Sequence, residues 1–141
     1  MLLAQAQTIV TAALKFARAG GFKPCAVAVL DARGALRALA NEDGTSLHRA
    51  EVAIGKAYGA VSMGVSSRAL FERAEKQPYF VAAVTHIAGG RLVPVPGGVL
   101  VRDASGALVG AVGISGDTSD NDEAACCAGI KAAGLVAETG A

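Results

Sequence analysis

The sequence predicts an α+β domain in which helices pack on an antiparallel sheet. Two short valine-rich runs each double back through an Asp-x-x-Gly turn, at Asp31 to Gly34 and Asp103 to Gly106, so strands come in hairpins. The helical stretches are grouped between and around those hairpins. Strict strand–helix alternation, the mark of a doubly wound parallel sheet, is missing. At 141 residues, 52 % hydrophobic and 18 % charged, the chain has the apolar surface for one core and is short for two domains.

Leu3, Ala6, Val10, Ala13, Leu14 and Ala17 recur at spacings of three and four, which predicts an amphipathic helix over 2–19, stopped by Gly20-Gly21. Cys25 to Leu30 reads as a buried strand, and Ala35 to Ala40 as its returning partner. Asn41 to Gly44 is a loop, after which Thr45 or Ser46 would cap a helix reaching Met63. That helix carries Gly55 and Gly59. Each costs about 1 kcal/mol relative to alanine inside a helix, so a close neighbour or a ligand is expected against that stripe. A short helix over 66–76 is capped by Ser66 or Ser67, and Pro78 opens a further helical turn to about Thr85. Residues 86–98 hold four glycines and two prolines and read as a loop, with a brief strand at 91–93. Strands at 99–102 and 107–114 form the second hairpin, and a final helix is expected to run to about Glu138. The predicted order is α-β-β-α-α-β-(β)-β-α.

Thirteen Lys and Arg against twelve Asp and Glu give a net charge of +1, so no basic field exists to hold nucleic acid or an anionic membrane. The apolar residues are small, with 31 alanines and 18 glycines, so elements can approach closely; the low net charge and high apolar fraction suggest that some surface is buried by self-association into a homo-oligomer. Cys25, Cys126 and Cys127 are an odd set without metal-ligand spacing and read as reduced core residues. The apolar opening segment lacks a basic start and is interrupted by Gln5, Gln7 and Lys15, so it reads as a helix and not a signal peptide. No apolar run approaches a membrane span. A soluble, cytoplasmic protein is expected.

Few residues stand out for chemistry. His48 and Glu51 lie three apart on a predicted helix and can share a face as an acid/base pair, or His48 can join His86 as a metal ligand. Lys56 sits in the small apolar stretch AIGKAYG; it either snorkels to solvent or points into a pocket as a base or anion clamp. Arg91 lies between Gly89-Gly90 and Gly97-Gly98, a glycine-rich loop suited to a carboxylate. Ser115-Gly116-Asp117-Thr118-Ser119-Asp120-Asn121-Asp122-Glu123 leads into a helix start, capped by Ser119 with Asp122 or Asp120 with Glu123. Asp117, Asp120 and Asp122 would make a cation site only without the usual calcium-loop spacing.

Together VAVLDARGAL, NEDG, AIGKAYGA and VPGGVLVRDASGALVGAVGISGDTSDNDEAACCAGI resemble the GlcG/HbpS family of small haem-binding or haem-degrading domains. The resemblance spans nearly the whole chain. It implies a profilin- or PAS-like α+β fold assembled into dimers or larger oligomers. Matching positions are Asp31, Gly34, Lys56, Gly97, Gly98, Gly110, Gly113, Ser115, Gly116, Asp122 and Glu123. The stretch from Ala40 to Thr45 departs from the Arg-Met-Asp-Gly-Ala text common in the family, and aromatic residues are scarce for a porphyrin pocket.

Three functions follow as expectations. The first is an oligomeric haem-binding protein, with His48 or His86 as the iron ligand. The second is a catabolic enzyme on the same fold, a lyase, isomerase or hydratase for a carboxylate or carbonyl compound, using Lys56, His48 and Glu51 for acid/base work and Arg91 or helix N–H groups to hold the carboxylate. Arg91, Gly97, Gly98, Ser115 and Gly116 are the candidate contacts to a small-molecule ligand. The third is a non-catalytic sensor of a small metabolite.

Overall fold

The structure is a computed structural model that describes residues 1–140. Its elements are α1 (Leu3–Ala19), β1 (Ala26–Asp31), β2 (Leu36–Asn41), α2 (Arg49–Met63), α3 (Ser67–Lys76), α4 (Pro78–Ile87), β3 (Gly98–Arg102), β4 (Leu108–Ser115), α5 (Ser119–Ala132) and β5 (Val136–Glu138). The strands form one antiparallel sheet in the order β2-β1-β4-β3-β5. The α+β class holds, with α1 and α5 on one face of the sheet and α2 on the other.

The two faces are built from different residues. Val27, Val29, Val99, Val101, Val112 and Ile114 meet Ile9, Ala13, Cys126 and Ile130 of α1 and α5. On the other face Ala28 packs with Ala53 of α2, while Leu30, Leu100 and Ala111 pack with Ala57 and Ala60. Helices on both sides explain why β1 reads as an unbroken apolar run instead of alternating. Small residues let α2 lie almost on the strand backbone. A Cβ added at Gly113 would collide with the Ala53 carbonyl, and one at Gly98 with the Lys56 carbonyl.

Four local expectations change. Residues 91–93 form no strand; the segment crosses the glycine stripe of α2, where Leu92 fills the space at Gly59 and the Val93 N–H donates to the Gly55 carbonyl at 3.2 Å. The stripe is therefore met by the chain itself. The final helix stops at Ala132, because Gly134 takes φ +74° and the Leu135 N–H closes on the Ile130 carbonyl at 3.2 Å. Val136–Glu138 then becomes β5, pairing with the free edge of β3. Thr118, not Ser119 or Asp120, caps α5 by accepting from the Asn121 N–H. The N-cap of α2 is His48, with no side-chain cap bond, while Thr45 closes the preceding turn onto Asn41 and Glu42. Ser66 caps α3, and Pro78 begins α4.

Candidate functional site

The residues singled out in the sequence fall in three places. The first is a buried polar junction joining α2, α3, α5 and the start of β3. Lys56 is almost wholly enclosed; its ammonium donates to the Ile114 carbonyl at 2.8 Å and to Asp122 Oδ2 at 3.1 Å. Burial pushes the Asp122 carboxyl up, and the Lys56 ammonium opposes that shift. The other Asp122 oxygen accepts from the Asp117 N–H at 3.0 Å. Gly97 has φ +113°, and a Cβ there would sit 2.8 Å from Lys56 Nζ, so only glycine fits beside the ammonium. Ser67 Oγ accepts from the Gly98 N–H at 2.6 Å. Cys126 Sγ donates to the Gly97 carbonyl at 3.4 Å. Gly116 presses on Pro24 and Cys25, and Ser115 Oγ accepts from Arg49 at 3.1 Å. The sequence offered Ser67 only as a helix cap and gave no signal at Arg49, because their partners here lie 31 and 66 positions away.

The acidic run before α5 is divided among separate partners. Asp122 pairs with Lys56 and Asp120 with Arg68, while Asp117 accepts from the Lys23 N–H and from Asn121. The Lys23 bond leads in holding the Asp117 carboxyl down to about 2. Glu123 accepts from Arg68 Nε through both oxygens. No group of three metal-ligating side chains converges among the described residues.

The second place is the N-terminal end of α2. His48 Nδ1 lies 3.1 Å from Glu51 Oε1, so these two do share a face. Both are open to solvent, with side chains 72 % and 73 % exposed. Lys56 belongs to a different, buried face of the same helix, so the three residues do not converge.

The third place is a groove of about 190 Å³ between α2 and α4, lined by Tyr58, Ser62, Met63, Val84, Ile87, Ala88 and Leu92. It exists because the 88–97 segment anchors Leu92 at Gly59 and into a cluster with Leu70 and Val81. Arg91 stands at Tyr58, its guanidinium carbon 4.3 Å from the ring centroid and Nη2 donating to the phenol oxygen at 3.3 Å. Stacking on the ring holds the cation in place without neutralising it. Tyr58 escaped the sequence reading, since a lone tyrosine among small helical residues looks like packing. His86 is exposed on α4. With Val84, Ile87 and Ala88 toward the groove, a turn of about 100° per residue puts His86 on the far side of that helix.

Two broader depressions flank α1. One, of about 410 Å³, holds the divergent Ala40 to Asp43 stretch together with Arg18 and Pro24. Its Glu42 is engaged, with one oxygen 3.0 Å from Arg18 Nε and the other accepting from the Cys25 N–H at 2.8 Å. The other, of about 510 Å³, runs along Leu3, Gln7, Val10 and the β2 edge.

Fold and groove together place the chain among small α+β domains built on one antiparallel sheet, with helices closing both faces. More closely, the chain belongs to the HbpS-like family of haem-degrading proteins, whose pattern matches residues 1–131. Solved structures agree in fold. The PduOC:heme complex superposes with a TM-score of 0.86 at 24 % identity, covering 98 % of each chain. An HbpS double mutant from Streptomyces reticuli gives 0.79 at 27 % identity, covering 93 % of this chain and 85 % of that one. Protein ORFY from Klebsiella pneumoniae gives 0.85 at 21 % identity, covering 95 % and 90 %. A search of curated proteins returned no match. Among the described residues no helix is long and apolar enough to cross a membrane.

Proposed function

We propose that this protein binds haem, or a flat carboxylated ligand of like chemistry, with one edge of the ring in the α2–α4 groove. One observation carries the reading: an apolar groove is lined by Tyr58, on whose ring the Arg91 guanidinium stacks, in a chain of a haem-degrading family. Met63, Val84, Ile87 and Leu92 supply apolar contact, and Arg91 supplies the partner for a propionate. The residues suit haem in kind. The groove's volume is below the roughly 300–1,000 Å³ of pockets that enclose drug-sized ligands, so it takes only part of a macrocycle. Haem, when bound, brings a redox-active iron. Lys56, Gly97, Gly98, Ser115 and Gly116 serve in this reading as the frame that fixes α2 against β4 and α5, not as ligand contacts.

Both histidines remain candidate iron ligands for haem bound in another orientation or shared between copies. His48, the N-cap of α2, lies ten residues before Tyr58, about 15 Å along the helix axis at 1.5 Å per residue. We propose a homo-oligomer, supported by the exposure of large apolar side chains such as Ile87 (83 %) and Leu47 (82 %). Three free cysteines, two of them buried, support a cytoplasmic location.

The test is a haemin titration followed by Soret absorbance on the wild type and on Ile87→Asp, Arg91→Ala, His48→Ala and His86→Ala. The expected result is saturable binding, weakened about tenfold or more by Ile87→Asp, equivalent to about 1.4 kcal/mol. Arg91→Ala is expected to weaken it several-fold. A non-saturating change indifferent to Ile87 and Arg91 would sink the groove reading, and loss in one histidine variant alone would move the site to that histidine.

A further inference from the structure

We infer that the outer face of α4 is the surface through which two copies of this chain pair, antiparallel about a two-fold axis beside Ala82 and Ala83. The inference rests on the homo-oligomer proposed above and names its interface. It does not depend on what the groove binds.

The inner side of α4 is already occupied. Val81 joins Leu70 and Leu92 in one buried cluster, and Phe80 and Val84 pack against it. At about 100° per residue, Tyr79, Ala82, Ala83 and His86 then share the opposite side. All four are exposed, Tyr79 by 71 %, and Ile87 stands at the margin of the stripe. The outer face of a surface helix ordinarily carries charge. Here PYFVAAVTHI holds no Asp, Glu, Lys or Arg at all, so an apolar stripe is left to water.

The order of residues along that stripe selects its occupant. Tyr79 and His86 lie seven positions apart, close to two turns, with the two alanines midway between them. A two-fold axis beside the alanines sets each of them against the same alanine of the second copy. It also sets Tyr79 against the partner's His86, and does so twice, as a self-complementary contact requires. Alanines at the crossing let the two backbones approach closely. The Tyr79 O–H can then donate to a ring nitrogen of the partner's His86. Neither side chain has a polar partner within the described residues. Within one chain the two are about 10 Å apart along the axis and cannot meet. A stripe shaped for an unrelated protein has no reason to place two polar rings at equal distances from a small centre. A helix lying on a lipid surface uses Lys or Arg on its polar face, and α4 has neither. One helix face is small beside the roughly 800 Å² per partner of a standard interface, so the pair is expected to dissociate in the micromolar range.

The experiment is sedimentation of the full chain, without haemin, across that range, on the wild type, Ala83→Glu, Ala83→Lys and an equimolar mixture of the two variants. Position 83 is exposed and helical, so both variants should keep the wild-type helical circular dichroism and urea midpoint. The wild type is expected to form a species of twice the 14.0 kDa chain. Each variant alone sets like charges against each other across the axis, and its dissociation constant should rise about tenfold or more. Mixing sets opposite charges there, so the mixture should pair more tightly than either variant alone, a recovery that a folding defect could not produce. If both variants self-associate like the wild type, or both weaken without recovery on mixing, the α4 assignment is overturned while the homo-oligomer stands. A wild type that stays a single 14.0 kDa species throughout removes the homo-oligomer and the assignment together.

Discussion

Gly113 lies inside a strand and Gly106 ends an Asp-x-x-Gly turn, and the structure gives the two glycines different work. Gly113 lies where α2 rests on the sheet, and an added Cβ would run into the Ala53 carbonyl, which belongs to a helix backbone that cannot yield. Gly106 ends the second hairpin turn at φ +86°, with nothing within 4 Å of an added Cβ. Gly113→Ala is therefore expected to cost about 3 kcal/mol or more through overpacking. Gly106→Ala should cost about 1–2 kcal/mol through left-handed strain alone. Urea unfolding of both variants measures the difference, and equal losses would contradict the close approach of α2. The turn glycines were legible because Asp-x-x-Gly is a local pattern. The demand at Gly113 was visible only as an oddity in a strand, since the atom it avoids lies sixty residues earlier.

Among the elements, α2 is the one that everything else positions. Its Lys56 joins α5 through Asp122, its glycine stripe receives the 92–93 segment, and its Tyr58 faces the groove. Removing one partner of a buried pair leaves a stranded charge, so Lys56→Met is expected to destabilise the fold by about 3–5 kcal/mol. Asp122→Asn keeps an acceptor for the Asp117 N–H but strands the ammonium, with a loss of similar order. The double variant should recover much of either loss, because two buried charges vanish together. A double-mutant cycle by chemical unfolding checks this, and strictly additive losses would show that Lys56 and Asp122 do not act as a pair. Spacing left two readings of Lys56, a surface snorkel or a pocket group. It sits in neither place, because its charge partner is sixty-six positions away and could not be seen locally.

For the whole molecule, the proposed homo-oligomer predicts a sedimentation mass that is a multiple of the 14.0 kDa chain at micromolar concentration. Ile87→Asp or Leu47→Asp should shift that distribution toward the monomer if either side chain lies in the contact. A single 14.0 kDa species at all concentrations would refute self-association. A rise in mass on adding haemin, lost in Ile87→Asp, would link assembly to the groove.

The sequence by itself determined the α+β class, both hairpins, α1, the starts of α3 and α4, and the likeness to a haem-degrading family. These rest on local periodicity, turn chemistry and contiguous motifs, which act over a few residues. Tertiary structure decided the rest. β5 exists because β3 had a free edge to pair with, and not because Val136–Glu138 is strand-like on its own. Lys56 became part of the frame because Asp122 folds beside it. The groove formed where the 88–97 segment anchors Leu92 on Gly59, bringing Arg91 onto Tyr58 across thirty-three positions. Contacts of that span depend on where whole elements dock, and no local pattern encodes them.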